Sequence, residues 1–295
     1  MLKNRTTASD SFTSFIIGVI LILICISIIY PLYYMFIVSI SNGNAVLRGE
    51  VKFFPAGINI RSYLAIFNDK YIPRSYLNTV IYTSLGTITN VVMSTLCAFP
   101  LSRKYFYGRH VFTIMIITTM LFDAGIVSNF LVVQNLKLMN TIWAIILPPA
   151  ISVYNMIIIR TFFQHLPEEM YESAYIDGAS DFTTFFRVVI PLSKPVLATM
   201  FLFYAVAHWN GFLPALLYLD DRLRYPMQLI MRNIVINGEL GALKQSVASV
   251  SGDMSVIGTN IKYAVIFITI LPILIVYPFV QKHFAKGVMI GALKG

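Results

Sequence analysis

The chain has 295 residues, of which 57% are apolar and 12% charged, about half the ~25% charge of an average soluble domain. A mean hydropathy of +0.75 excludes an ordinary cytosolic protein and points to several membrane spans of ~20 residues each. The net charge of +9, from 22 Lys and Arg against 13 Asp and Glu, then reads as basic flanks of spans rather than a nucleic-acid surface.

The first predicted element is a span over about 15–38, which opens with the charge-free run from Phe15 to Tyr34. That run is about twice the ~7–15 apolar residues of a secretory signal core, so it reads as a retained helix. Further charge-poor stretches predict spans at about 76–101, 111–128, 141–159, 195–218 and 260–280. Six spans put both termini on one side. Lys and Arg are divided almost evenly, with 11 on that side and 10 in the opposite loops. Long loops weigh less in the positive-inside rule, and the opposite loops are the longer ones, so cytoplasmic termini are slightly favoured. The expected architecture is all-α: one polytopic membrane domain over 1–295, with an outer loop at 219–258 and a cytoplasmic tail at 281–295. Cys25 and Cys97 lie inside apolar runs and read as buried, inert thiols.

Several spans are not simple helices. Pro31, Pro100, Pro148, Pro149, Pro195, Pro214, Pro272 and Pro278 fall in or at the ends of spans. Each removes a backbone donor and frees a carbonyl that lipid cannot satisfy. The Pro148-Pro149 pair should kink or break the fourth span, either as a packing device or as the lining of a pathway built from interrupted helices. Polar groups at membrane depth raise the same alternatives. Asp123 is the one acid within a predicted span and should face protein or water, either in a pathway or at the outer interface. His208 reads as an interhelical hydrogen bond or a pathway group. Trp209, Asn210, Tyr204, Asn129, Gln134 and Asn155 set aromatic rings and amides in or beside the spans, groups that can line a passage for a polar solute; Trp209 can equally pack between helices.

The segment 161–193 departs from its context. It holds Glu168, Glu169, Glu172, Asp177 and Asp181 against the single base Arg187, a net −4 in a chain at +9. This charge suits neither anionic lipid nor nucleic acid. Pro167 as a first helical residue, Glu168 and Glu169 at the positive end of the helix dipole, and Gly178 as a left-handed stop predict one short helix. Ser180 caps a second, in which Phe182, Phe185, Phe186 and Val189 recur at helical spacing until Pro191 ends it. The expectation is a compact knob that docks in a protein groove or rests on its own bundle.

Glu172-Ser173-Ala174, Gly178, Val188, Ile190 and Pro191 resemble the EAA signature of ABC importer permeases at every spacing, with Ser173, Val188 and Ile190 as small or isosteric departures. The resemblance extends over nearly the whole chain and is closest to the second, six-helix permease subunit of the maltose-type carbohydrate importers. It is carried by Leu138-Met139-Asn140-Thr141, Tyr175-Ile176-Asp177-Gly178-Ala179-Ser180, Trp209-Asn210-Gly211-Phe212 and the tail from Gly287 to Gly295. Leu219 to Leu229 is similar to a branch handling complex, uronate-containing oligosaccharides.

This resemblance implies a type I importer permease fold whose 161–193 loop is a cytoplasmic coupling helix seated in an ATPase. Glu168, Glu169, Glu172, Ser173, Ala174, Asp177, Gly178 and Pro191 would form that contact, with Glu172 holding the loop by hydrogen bonding. Gly291 and Lys294 would reach between the ATPase subunits. The implied partners are a second homologous permease, two ATP-binding subunits and an extracytoplasmic sugar-binding protein that meets the outer loop, within the lipid bilayer and without nucleic acid.

The chain has no GxxxxGK phosphate loop, so ATP and Mg are expected in partner subunits and no cofactor on this chain. The four histidines are scattered, which gives no metal-spaced cluster and no catalytic constellation. The rival readings are an ABC permease for a non-sugar solute, and an ion-coupled secondary transporter using Asp123. Arg222, Arg224 and Arg232 either favour acidic sugars or pair with Asp220 and Asp221.

Overall fold

The computed structural model describes the backbone over 8–236 and 254–292, and side chains over 12–236 and 258–278. All regular structure among these residues is helical. In chain order the helices are α1 (Ala8–Ser39), α2 (Gly43–Leu47), α3 (Arg61–Asn68), α4 (Ile72–Ser102), α5 (Arg109–Leu121), α6 (Gly125–Asn135), α7 (Trp143–Ile146), α8 (Val153–Gln164), α9 (Glu168–Ile176) and α10 (Asp181–Thr184). A π-helical turn (Phe185–Val189) follows, then α11 (Ile190–Leu192), α12 (Lys194–Asn210), α13 (Leu213–Tyr218), a 3-10 turn (Arg222–Arg224), α14 (Met227–Val235) and α15 (Met254–Ala292).

Three helices alone are long and apolar enough to cross a membrane: Phe12–Ser39, Ile72–Ser102 and Gly258–Pro278. Two bent pairs raise the number to five among the described residues. These are α5 with α6, at 113°, and the Asp181–Leu192 stretch with α12, at 81°. The first bend falls at Asp123 and at Gly125, whose φ of 79° needs no Cβ. The fourth predicted stretch is broken as the proline pair requires: α7 ends at Ile146 and α8 begins at Val153. The fifth is divided at Gly211-Phe212, between α12 and α13. By contrast Pro31, Pro100, Pro272 and Pro278 lie inside continuous helices.

The chain packs as two compact units, one of 1–70 with 234–270 and one of 71–233 with 271–295. In the first, α1 presents apolar side chains all round, the pattern of a helix solvated by lipid. Cys25 sits exposed on it, so the expectation of burial inside the chain is corrected. An apolar helix needs no inner face when the bilayer is its solvent. The end of α1 is tied down by Asn260 Nδ2, which donates to the carbonyls of Val38 (3.2 Å) and Ser41 (2.6 Å).

The second unit is organised by α4. Ser75, the pair Asn78-Thr79, Tyr82, Gly86, Asn90 and Ser94 recur every three or four residues and are all buried, a polar and small-residue stripe inside an otherwise apolar helix. Small residues let helices approach closely and hydroxyls and amides bond across them. The stripe faces α8, α12 and the turn at 222–224. Asn78 Nδ2 donates to the carbonyls of Leu223 (2.7 Å) and Tyr225 (3.2 Å), and Tyr82 donates to that of Arg224 (2.8 Å).

Candidate functional site: an acidic coupling surface and a polar cavity

Two regions of the second unit carry functional groups. The first is the segment after α8. Its helix α9 starts at Glu168 with Pro167 in the capping position, one residue earlier than expected for a first helical residue. Gly178 follows with φ 76°, and a Cβ built there meets nothing within 4 Å. Ser180 caps α10 by accepting the Thr183 N–H at 3.3 Å. Pro191 does not end the second helix. The π turn over Phe185–Val189 leads into α11 and carries the chain past Pro191 to Leu192, because a wider turn accommodates a residue with no donor.

The knob is held to the end of α4 rather than by Glu172. Tyr171 is buried, its hydroxyl donates to the Phe163 carbonyl (3.3 Å), and the Arg103 guanidinium lies 3.6 Å from its ring centroid. Lys104 Nζ lies 2.7 Å from Glu168 Oε1. This bond and charge hold the Glu168 carboxyl below the usual carboxylate range. Burial pushes the Tyr171 phenol up, and burial together with the bond to Asp181 (2.7 Å) does the same for Tyr175. Phe185 and Val189 are buried, with Phe185 4.9 Å from Phe99 between centroids. Glu172 is exposed and has no hydrogen bond or ion pair among the described residues, which corrects the expectation that it fastens the loop.

What remains uncovered is informative. Ile176 is 85% exposed and Phe182 73%, beside Glu169, Glu172, Ser173 and Asp177, while Ala174 is half-buried. Of the four apolar positions that recur at helical spacing, Phe185 and Val189 are buried while Phe182 and Phe186 stay on the surface. A short helix pair anchored on one side and presenting isolated large apolar groups among carboxylates has the make-up of a protein-docking surface.

The second region is a partly open cavity of ≈ 240 Å³ at the break between α7 and α8, whose lining includes Asn90, Pro149, Ser152, Asn155, Tyr204 and His208. The proline pair exposes backbone groups there, and the polar stripe of α4 takes them up with help from α12. Asn90 Nδ2 donates to the Pro149 carbonyl. Its Oδ1 is thereby turned to His208 Nε2, which donates to it at 2.8 Å. Tyr204 accepts the Ser152 N–H (3.2 Å), and its hydroxyl pairs with that of Ser94 at 2.6 Å. Gly86 lies against the His208 ring so closely that a Cβ would come within 2.5 Å of it.

The other predicted passage residues are not gathered here. Trp209 packs edge-on against Tyr76, 5.8 Å between centroids, and lines a separate apolar cavity with Leu202 and Val276. Asn210 is exposed and accepts from Gln228 Nε2 at 3.4 Å. Asn129 and Gln134 lie exposed along α6. Asp123 sits in the α5–α6 bend, accepting the Gly125 N–H at 3.0 Å, where nothing resembles a cation cage. Among the described residues no group of His, Cys, Asp or Glu is arranged to hold a metal. Asn90, Ser94 and Ser152 were not singled out from the sequence; the four-residue spacing of polar residues along α4 was the available signal. Gly291 is carried by α15 but its surroundings, like Lys294, lie outside the described residues.

The arginines of the segment after α13 are engaged within the chain. Arg224 pairs with Asp221 (3.6 Å) and donates to the Asn140 carbonyl, Arg222 lies 4.5 Å from the Tyr71 ring centroid and Arg232 5.6 Å from that of Phe212.

An all-helical chain with an anchored, acid-rich knob and an interrupted span has the features of a transporter subunit. Residues 75–290 match the family described as "Binding-protein-dependent transport system inner membrane component". The chain belongs to that family and is a membrane transport component of an ABC system, not an enzyme. Over 301 aligned residues covering all of both chains, it is 38% identical to the polygalacturonan/rhamnogalacturonan transport system permease protein YtcP of Bacillus subtilis strain 168. It is 40% identical over 272 residues, 90% of each chain, to Protein LplC of the same organism. Among solved structures it is similar, at a TM-score of 0.88 and 32% identity over 94% of this chain and 98% of the other, to a chain of a bacterial ABC transporter involved in the import of the acidic polysaccharide alginate.

Proposed function

We propose that this chain is the second permease subunit of an ATP-driven importer of acidic oligosaccharides. The observation that carries the reading is the knob at 168–192, fixed inward by Tyr171, Arg103 and Lys104 and open outward at Ile176, Phe182 and the acids. It seats in a nucleotide-binding subunit through Glu168, Glu169, Glu172, Ser173, Ala174, Asp177 and Gly178, with Pro191 at its junction to α12. Closure of two such subunits around ATP moves the knob and shifts the spans between two populated conformations. The full assembly holds a second homologous permease, two ATP-binding subunits and an extracytoplasmic sugar-binding protein. ATP and Mg reside in those partners, and the tail with Gly291 and Lys294 reaches between the ATPases. The chain crosses six times with both termini cytoplasmic, α7 and α8 together making the fourth crossing.

The cargo reading rests on the relative named for polygalacturonan and rhamnogalacturonan and on the structural neighbour that imports alginate. The three engaged arginines of the outer side do not by themselves supply a carboxylate site. The test is reconstitution of the complete importer in proteoliposomes. Galacturonate oligomers with the binding protein should stimulate ATP hydrolysis and accumulate inside. Stimulation by neutral oligosaccharides alone would overturn the acidic cargo, and accumulation without the ATPase would overturn the mechanism.

A further inference from the structure

Within the cavity at the α7–α8 break, most polar groups are already committed to one another. Asn90 is spent on Pro149 and His208, and Tyr204 on Ser94 and Ser152. These groups form walls. Asn155 differs. The residue is 8% exposed and lines the cavity, yet its side-chain amide makes no hydrogen bond among the described residues. Its backbone N–H is turned away toward the capping Ser152 hydroxyl, at 3.5 Å. Its polar atoms are not sealed from solvent, so the amide, with its carbonyl and its NH₂ both unspent, is open to the cavity. The pair of functions, one acceptor beside two donors, matches a hydroxyl, which is itself donor and acceptor.

The charge of the cavity narrows the ligand further. No Asp, Glu, Lys or Arg lines it. The start of α8, which would otherwise attract an anion, is closed by the Ser152 cap and by Tyr204, which takes the Ser152 N–H. A carboxylate entering here would meet one neutral amide and no cation, too little to replace its hydration, whereas a hydroxyl can use both functions of the amide. The volume, ≈ 240 Å³, is that of about eight liquid waters, the scale of one sugar ring and not of a chain of them.

We propose that this cavity is a subsite through which one ring of the transported oligosaccharide passes by its hydroxyl face, with the Asn155 amide as the binding group and the ring's carboxylate directed away from this chain. The inference rests on the sugar-importer reading and adds to it that this subunit reads hydroxyls, leaving recognition of acid to the partner permease or the binding protein.

The experiment uses the complete importer in proteoliposomes with trigalacturonate as probe, and reads the ATP hydrolysed per sugar accumulated. Asn155→Leu, which keeps the size and removes both hydrogen-bonding functions, should raise that ratio about tenfold, the worth of one or two neutral hydrogen bonds. Asn155→Gln, which keeps donor and acceptor, should stay within about threefold of the parent. A parental ratio in Asn155→Leu overturns the subsite, and so does a Gln variant as uncoupled as the Leu variant, which marks a packing role. Should Asn155→Leu fail to assemble with its partners, Asn155→Ser replaces it, with an intermediate rise expected and a parental ratio again overturning the proposal. If trigalacturonate is not transported even by the parent while a neutral oligosaccharide is, the acidic-cargo reading fails; the same ratio measured on that sugar still decides the subsite.

Discussion

The knob at 168–192 and the cavity beside α8 are built on opposite principles. The knob is local: its helix starts, glycine stop, cap and charge follow one another within about two dozen residues, and its outward groups stay exposed. The cavity is assembled from Asn90, Pro149, Ser152, Asn155, Tyr204 and His208, positions separated by up to 118 residues, and its groups other than the Asn155 amide satisfy one another. The difference teaches how a surface left open and a break inside an apolar bundle are each stabilised. A surface that must grip another protein keeps its contacts unspent, whereas a break inside a membrane must answer each freed backbone group from neighbouring helices.

That contrast can be broken most severely at Gly178. A left-handed backbone costs an L-residue roughly 1–2 kcal/mol and a β-branched one more, and the space around it is open, so Gly178→Val strains the turn without a clash. ATP-driven transport should fall more than tenfold while membrane insertion, followed by protease protection, stays parental; transport at parental rate would remove the coupling role from the knob. On the cavity side, Gly86→Ala sets a methyl 2.5 Å from the His208 ring and must displace either that ring, with its bond to Asn90, or α4 from α12. A loss of about 2–3 kcal/mol is expected for such overpacking, seen as a lower Tm of the purified complex. Gly18→Ala, where nothing lies within 4 Å, is the control that should not lower Tm, since Ala is the better helix former.

Tyr204→Phe sharpens the comparison with a smaller change. It strips the Ser152 N–H and the Ser94 hydroxyl of their partner, at about 1 kcal/mol if cavity water answers one of them, again read as Tm. The smallest effect concerns Glu168. Its carboxyl is depressed from an ordinary value of 4.5 by Lys104, so the pair supports the knob in full above that value and loses its contribution as pH falls through the depressed midpoint. A carbon-13 NMR titration should show the Glu168 midpoint moving up toward 4.5 in Lys104→Ala, with no change near neutral pH. An unmoved midpoint would mean that Lys104 does not hold the knob.

Much of the knob was legible because its determinants are short-range. Pro167, Gly178 and Ser180 act within a turn of themselves, and the structure departs from expectation by one residue at Pro167 and by the π turn that carries the chain past Pro191. Glu172 shows the limit. Its place in the motif was readable, but what fastens the loop is Lys104 and Arg103, brought from the far end of α4. The cavity was half legible: Asn155, Tyr204 and His208 stand out as polar residues in apolar runs, while Trp209 and Asn210, their immediate neighbours, turn elsewhere because successive helical residues point about 100° apart.

The sequence by itself determined that the chain is a helical membrane protein, where it is interrupted by Pro148-Pro149, and that one acidic segment is set apart in charge from the rest of the chain, since hydropathy, proline chemistry and charge act locally. Tertiary structure alone decided which polar groups answer the broken helix and which one, Asn155, is left over. Hydrogen bonds between helices depend on register and rotation, and those emerge only when α4, α8 and α12 are packed.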